Sequence, residues 1–213
     1  ARLRGDVAAA DAAARAARAL APNDRDVDGL LVGAQLFAAL VGDDLDAALG
    51  FASAMTDLLR GSETAPPAHH RAALPVLLAR AGRDEAADVL AELERSSVAV
   101  NRGGRAWLTL ARAILTGRAD PDAAAALVAR ADADLVHMPM WRSLARRLAA
   151  DAAAGDGWTI PAGWLAEAEA CFRSLGFPAA AIACRRLRGA VSSAVPEAWA
   201  ARGITRREAD VLA

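Results

Sequence analysis

Redox, metal and acid–base chemistry need thiols, imidazoles or carboxylates at defined spacings, and few residues here qualify. Cys171 and Cys184 are the two cysteines. A redox pair wants solvent access and a neighbouring positive charge, for which Arg173 and Arg185 are the nearest suppliers. The blander alternative is two buried free thiols on helices that pack as a hairpin. His69 and His70 are adjacent, so on a helix their side chains diverge by about 100° and do not share one ion; His137 is far off in sequence. All three read as solvent-facing or helix-starting residues. Asp43, Asp44 and Asp46, and Asp132 with Asp134, fall at helix starts or ends. Carboxylates there cap the helix and complement its dipole rather than acting as general acid and base. No Gly-x-Ser-x-Gly, His-Glu-x-x-His or glycine-rich nucleotide loop occurs. All 25 basic residues are arginine, which excludes a lysine Schiff base and a P-loop lysine. The expectation is a chain that is not an enzyme, with no cofactor and no metal.

The elements that must hold these residues are helices. Hydrophobic residues make up 55% of the 213, alanine above all, and aromatics only 4%. That favours closely packed helices with small side chains over sheets, which want β-branched and aromatic residues. The sequence predicts helices over 6–21, 31–42, a segment from Asp43 to Gly61, another after Pro66 and Pro67, and one capped by Asp84. Pro75 should kink the fourth of these or bring its start downstream. Further helices are expected at 105–117, after Asp120 with Pro121 in the first turn, at 141–155, at 162–176 and at 177–189. The stretches 61–68, 96–104 and 190–196 are the least helical.

A turn recurs between helices: a glycine, then a helix with paired alanines. Gly42 precedes Ala47 and Ala48, Gly82 precedes Ala86 and Ala87, and Gly176 precedes Ala179 to Ala181. Glycine reverses the chain through a left-handed conformation, and alanine lets the partner backbone approach. Spacings of roughly 35–40 residues between such turns suggest stacked antiparallel helical hairpins, a tetratricopeptide-like superhelix. The alternative is an irregular bundle of some ten helices. Residues 1–190 would form this domain and 191–203 a linker.

Trp107, Trp141 and Trp164 stand in apolar helical patterns and read as core wedges; Trp158 and Trp199 sit at looser positions and are candidate interaction anchors. No run of 18 apolar residues is present, so neither a membrane span nor an export signal is expected. The scarcity of cysteine fits a reducing, cytoplasmic setting. The net charge of -1 gives no general attraction to nucleic acid. Arginines do gather late, at 185, 186, 188, 202, 206 and 207. That local excess could support a neighbouring nucleic-acid module.

The sequence ends on a helix start. Thr205 and Glu208 form a capping box, and Val211 with Leu212 begin an apolar face. Ile204, Thr205, Arg207, Glu208, Val211 and Leu212 resemble the opening of the LuxR-type helix-turn-helix domain: a hydrophobic residue, Thr, a variable residue, Arg and Glu, then Val-Leu. Residues 164–190 and the opening ARLRGD also resemble the helical region that precedes that domain in large LuxR-type regulators. The resemblance implies a parent protein with an ATPase module, a tetratricopeptide-like region and a C-terminal DNA-binding domain. This chain would be the middle region plus residues 204–213 of the last, cut before the helix that reads DNA. Thr205 and Glu208 would then be architectural. Partners would be DNA only through the missing domain, a protein or small-molecule effector, and in self-association a second copy. The rival expectation is a free-standing scaffold or adaptor with no DNA-related role.

Overall fold

The computed structural model describes residues 7–22, 24–59 and 68–193, and among them there are ten α-helices and no strand. The helices are α1 (Val7–Leu20), α2 (Arg25–Val41), α3 (Leu45–Leu59), α4 (Ala68–Arg80), α5 (Ala86–Glu94), α6 (Arg102–Thr116), α7 (Pro121–Asp134), α8 (Pro139–Asp156), α9 (Trp164–Ser174) and α10 (Pro178–Ser193). The all-α expectation holds. Helix α10 runs three residues into the segment expected as a linker, the rest of which, like the capping box and Trp199, lies outside the described residues.

Short polar side chains set the starts of α2, α3, α6 and α7. The Asp24 carboxylate accepts from the N–H groups of Asp26 and Val27, so α2 begins at Arg25 rather than near residue 31. Asp44 caps α3 and Asp120 caps α7, as their positions suggest. Asn101 accepts from Gly103 and Gly104, and therefore α6 starts inside a stretch expected to be a loop. The loop before it tightens into a single 3-10 turn, Ser97–Ala99. Asp84 does not cap α5; the residue before that helix is Glu85, whose side chain makes no capping bond. Pro75 lies within α4, which runs through it and starts upstream. Residues 72–78 are all buried, and this packing offsets the backbone bond that proline removes.

The expected glycine turns are present at Gly82 and Gly176, both with positive φ. At the α2–α3 turn the left-handed residue is Asp43 (φ 63°), while Gly42 keeps an ordinary right-handed conformation. Aspartate tolerates that region better than most residues, and its side chain has a task there described below.

Packing follows a two-row pattern. The pairs α2 with α3, α6 with α7, α8 with α9 and α9 with α10 lie against each other, as consecutive helices joined by short turns should. The even-numbered helices also touch in succession: α2 with α4, α4 with α6, α6 with α8, and α8 with α10. Finally α10 meets α2, so the row closes on itself. Four of these five helices, and the residue that leads into the fifth, supply rings to one cluster. Trp141 of α8 lies 5.4 Å from Phe37 of α2, 5.1 Å from His70 of α4 and 5.6 Å from Trp107 of α6, centroid to centroid. Phe177, just before α10, stands edge-on to Phe37 at 5.9 Å. Tilted and edge-to-face pairs suit the ring quadrupoles. The cluster sits where α2 comes close to α4: a Cβ on Gly33 would lie 3.1 Å from His70 Nδ1.

Two glycines test this packing in opposite directions. Gly117, just after α6, has helical backbone angles, yet a Cβ there would lie 2.7 Å from Trp158 Cδ1. Gly117→Ala should cost about 1–3 kcal/mol by overpacking. Gly155, in the last turns of α8, has nothing within 4 Å of an added Cβ, so Gly155→Ala should stabilise by about 0.5 kcal/mol. Urea denaturation of both variants reads the two signs.

Candidate functional site

Helix α8 is the central element. Trp141, Ser143 through Ala150, Ala152 and Ala153 are all buried, so neighbours cover it nearly all round. Two arginines are carried inside with it. Side-chain exposure is 6% for Arg146 and 3% for Arg147. Each has to find charge partners, since an isolated buried cation is costly.

Arg146 finds them at the α7–α9 side. Its Nε and Nη2 donate to the two carboxylate oxygens of Asp132 at 2.5 and 3.2 Å, and its Nη1 donates to Glu167. The guanidinium also lies 4.8 Å above the Trp164 ring, a cation–π contact. Arg142 donates to the same Asp132 at 2.9 Å. Burial raises the Asp132 carboxyl, but the hydrogen bonds from Arg142 and Arg146 outweigh it and hold it below its ordinary value. Asp132 is therefore a buried ion-pair centre rather than a helix-end dipole partner, and Asp134 pairs with Arg102 and Arg105.

Arg147 points the other way. Its Nη2 donates to Asp43, the left-handed residue of the α2–α3 turn, and Arg186 of α10 donates to the second oxygen of that carboxylate. One aspartate thus joins α8, α10 and the α2–α3 turn at the place where the row of helices closes. Burial pulls the Arg147 guanidinium below its ordinary value while Asp43 opposes the shift. The remaining donors of Arg147, Nε and Nη1, are buried with no hydrogen-bond partner.

Beside this junction lies an open cleft of about 600 Å³, lined by the α2–α3 turn, Arg80, Arg147, Asp151 and the face of α10 at Ala183, Arg186 and Leu187. A second cleft of about 460 Å³ runs on between α4, α6 and α8. The ion pair between Arg80 and Asp151 lines both, so it forms the wall between them. The lining alternates in sign, which suits a polar ligand better than a lipid or a polyanion. Among the described residues there is no cluster of His, Cys, Asp and Glu able to hold a metal, and no helix is long and apolar enough to cross a membrane.

The other residues singled out in the sequence are dispersed. The Cys171 thiol faces the Pro139 carbonyl at 3.7 Å, whereas Cys184 is fully buried near Arg147 and Asp43. Burial pushes the Cys184 thiol up to about 11, which removes the thiolate that redox chemistry needs. Both are free. His70 is half-buried against Trp141 rather than facing solvent. Trp158 does not present itself to a partner; it is 4% exposed and lies against Gly117 as an internal wedge. Three late arginines are already engaged, Arg185 and Arg188 with Glu169 and Arg186 with Asp43. Of the residues that build the cleft, Arg147 was visible as a conflict: with Arg146 it stands between the apolar pairs Leu144–Ala145 and Leu148–Ala149 of a helix that is buried nearly all round.

Comparison with family models, with curated proteins and with solved structures finds no match to this chain.

Two expectations follow from these burials. Asp43→Asn leaves Arg147 buried without its counter-charge and should cost about 3–5 kcal/mol, whereas Asp43→Asn combined with Arg147→Met should recover most of the loss. Chemical denaturation of the single and double variants measures the coupling. His70 is held at about 4 by burial, against 6.5 ordinarily. Its folded pKa lies below the unfolded one, so the unfolded chain binds the extra proton. Stability should therefore fall as pH drops from about 6.5 to about 4, by up to about 3 kcal/mol, and level off below. His70→Gln should flatten that part of the stability–pH profile.

Proposed function

We propose that this chain is the helical signal-coupling region of a DNA-binding transcriptional regulator of the LuxR type, working in the cytoplasm. The observation that carries the reading is the Ile204, Thr205, Arg207, Glu208, Val211, Leu212 pattern that follows an all-α stack. The two-row packing, with alternate helices touching in succession, supports a tetratricopeptide-like arrangement, curled until its first long helix meets its last. The polar cleft at that closure supports an effector-receiving role, because a ligand there would touch α8, α10 and the α2–α3 turn at once. DNA contact belongs to helices beyond Ala213, so residues 7–193 carry no base-reading role.

A second reading, a scaffold or adaptor, is favoured by the closure of the row and by the ion-paired state of Arg185, Arg186 and Arg188. The parent gene decides between them. Under the regulator reading, the codons after Ala213 supply two more helices, and the extended protein retards duplex DNA in a salt-dependent manner while residues 1–193 do not. Thr205→Ala in the extended protein should cost the DNA-binding domain about 1 kcal/mol through loss of the cap. A gene that continues without a helix-turn-helix would leave the adaptor reading standing.

A further inference from the structure

We propose that the outer face of the α9–α10 hairpin carries a phosphate site, in which Arg173, Arg185 and Arg188 receive the dianion of a phosphate monoester. The argument rests on charge. Three guanidiniums converge on one carboxylate, that of Glu169. Only Arg185 hydrogen-bonds it, donating from Nε at 3.1 Å and Nη2 at 2.8 Å to the same oxygen. Arg173 Nη1 stands 3.8 Å from that oxygen and Arg188 Nη2 stands 3.2 Å from the other, as ion-pair partners alone. The Arg185 hydrogen bond holds the Glu169 carboxyl below its ordinary value, so it stays ionised. Three positive charges thus face one negative charge.

Neighbouring acids do not cancel the excess. None of the three arginines meets a second carboxylate among the described residues. Glu167, the other acid of α9, is held by Arg146 from α8, and α10 contains no acidic residue. Access favours a second anion. The Glu169 side chain is 5% exposed, whereas those of Arg173, Arg185 and Arg188 are 60, 59 and 43% exposed. The carboxylate is the buried anchor and the arginines are the open rim. An incoming anion need not displace Glu169, because Arg173 and Arg188 spend no hydrogen bond on it.

The size of the excess selects the ligand. A phosphate monoester near neutral pH brings about two negative charges and three acceptor oxygens, which suit three guanidinium forks. A single carboxylate would leave one positive charge unmatched. A nucleic-acid backbone carries one charge per phosphate and is tracked by a row of cations, whereas these three meet at one point. The site does not depend on the regulator reading.

Titration calorimetry of the 213-residue chain in dilute, phosphate-free buffer tests the site. The probes are glycerol phosphate and an end-blocked peptide centred on phosphoserine. Acetate, the unphosphorylated peptide and a DNA duplex without terminal phosphates serve as controls at matched ionic strength. The expected result is saturable binding of at least one phosphorylated probe, with acetate and the plain peptide weaker by about tenfold or more. Tighter binding of the peptide identifies a phosphorylated protein segment as the source; equal or tighter binding of glycerol phosphate identifies a small ester. Arg173→Gln and Arg188→Gln, which remove no hydrogen bond from the fold, should each weaken binding about fivefold. Arg95→Gln, at the exposed end of α5, lowers the net charge equally and should leave affinity unchanged. Silence from both probes, acetate binding as tight as theirs, or wild-type affinity in Arg173→Gln and Arg188→Gln overturns the proposal. So does an equal loss in Arg95→Gln, or duplex DNA bound more tightly than either probe through the same arginines.

Discussion

Asp43 is the residue on which the closed arrangement depends. It takes a left-handed backbone conformation in the turn between α2 and α3, and its carboxylate receives Arg147 from the central helix and Arg186 from α10. A row of paired helices has two free ends, and nothing in helix-on-helix packing forces those ends to meet. Here they meet through a charge that is four-fifths covered, with a side-chain exposure of 19%. The same turn built on a glycine would satisfy the backbone and leave Arg147 buried without a partner. The positive φ and the ion pair are two halves of one solution.

The chemistry of the basic residue matters to that solution. Both buried cations are arginines, and Arg146 acts through several donors at once while Arg147 uses Nη2 alone. Arg146 spans Asp132 and Glu167 while stacking over Trp164. A lysine ammonium is a compact, strongly hydrated charge and could not replace that reach. Arginine also keeps its proton under burial that pulls its pKa down, as at Arg147. The alanine-rich composition is the other half of the same economy. Small side chains bring helices close, and four of the nine Phe and Trp rings (Phe37, Trp107, Trp141 and Phe177) cluster at the centre where the even-numbered helices converge.

Helix content and most boundaries were legible because caps and apolar spacing are local. Asp44, Asp120 and the glycines at 82 and 176 behave as their neighbours in sequence suggest. The misreadings share a cause, which is tertiary burial overruling local preference. Of the two outcomes expected at Pro75, a downstream start for α4 is the one overturned, because residues 72–78 are all buried and hold the helix through the proline. Trp158 looked like a loose anchor because it follows a helix end, yet the missing side chain of Gly117 leaves room for its ring inside the fold. Asp43 and Asp132 looked like helix-end charges because their partners lie on other helices, Arg142 and Arg146 for Asp132 and, 104 and 143 residues away, Arg147 and Arg186 for Asp43. Nothing short of the fold pairs Asp43 with arginines that distant. The doubled arginine in α8 was the one local sign, since two adjacent cations in a helix with apolar residues on either side cannot both reach water.

The cleft and the closure are therefore not independent features. Both are made from Asp43, Arg147 and Arg186, and the polar groups that hold the row shut also line its opening. Any change that loosens Arg147 or Arg186 from Asp43 therefore acts directly on the contact between the two ends of the row. The donor atoms sit at a junction rather than on one rigid face, so α8 and the α2–α3 turn are tied through them to α10, the helix that leads into residues 194–213.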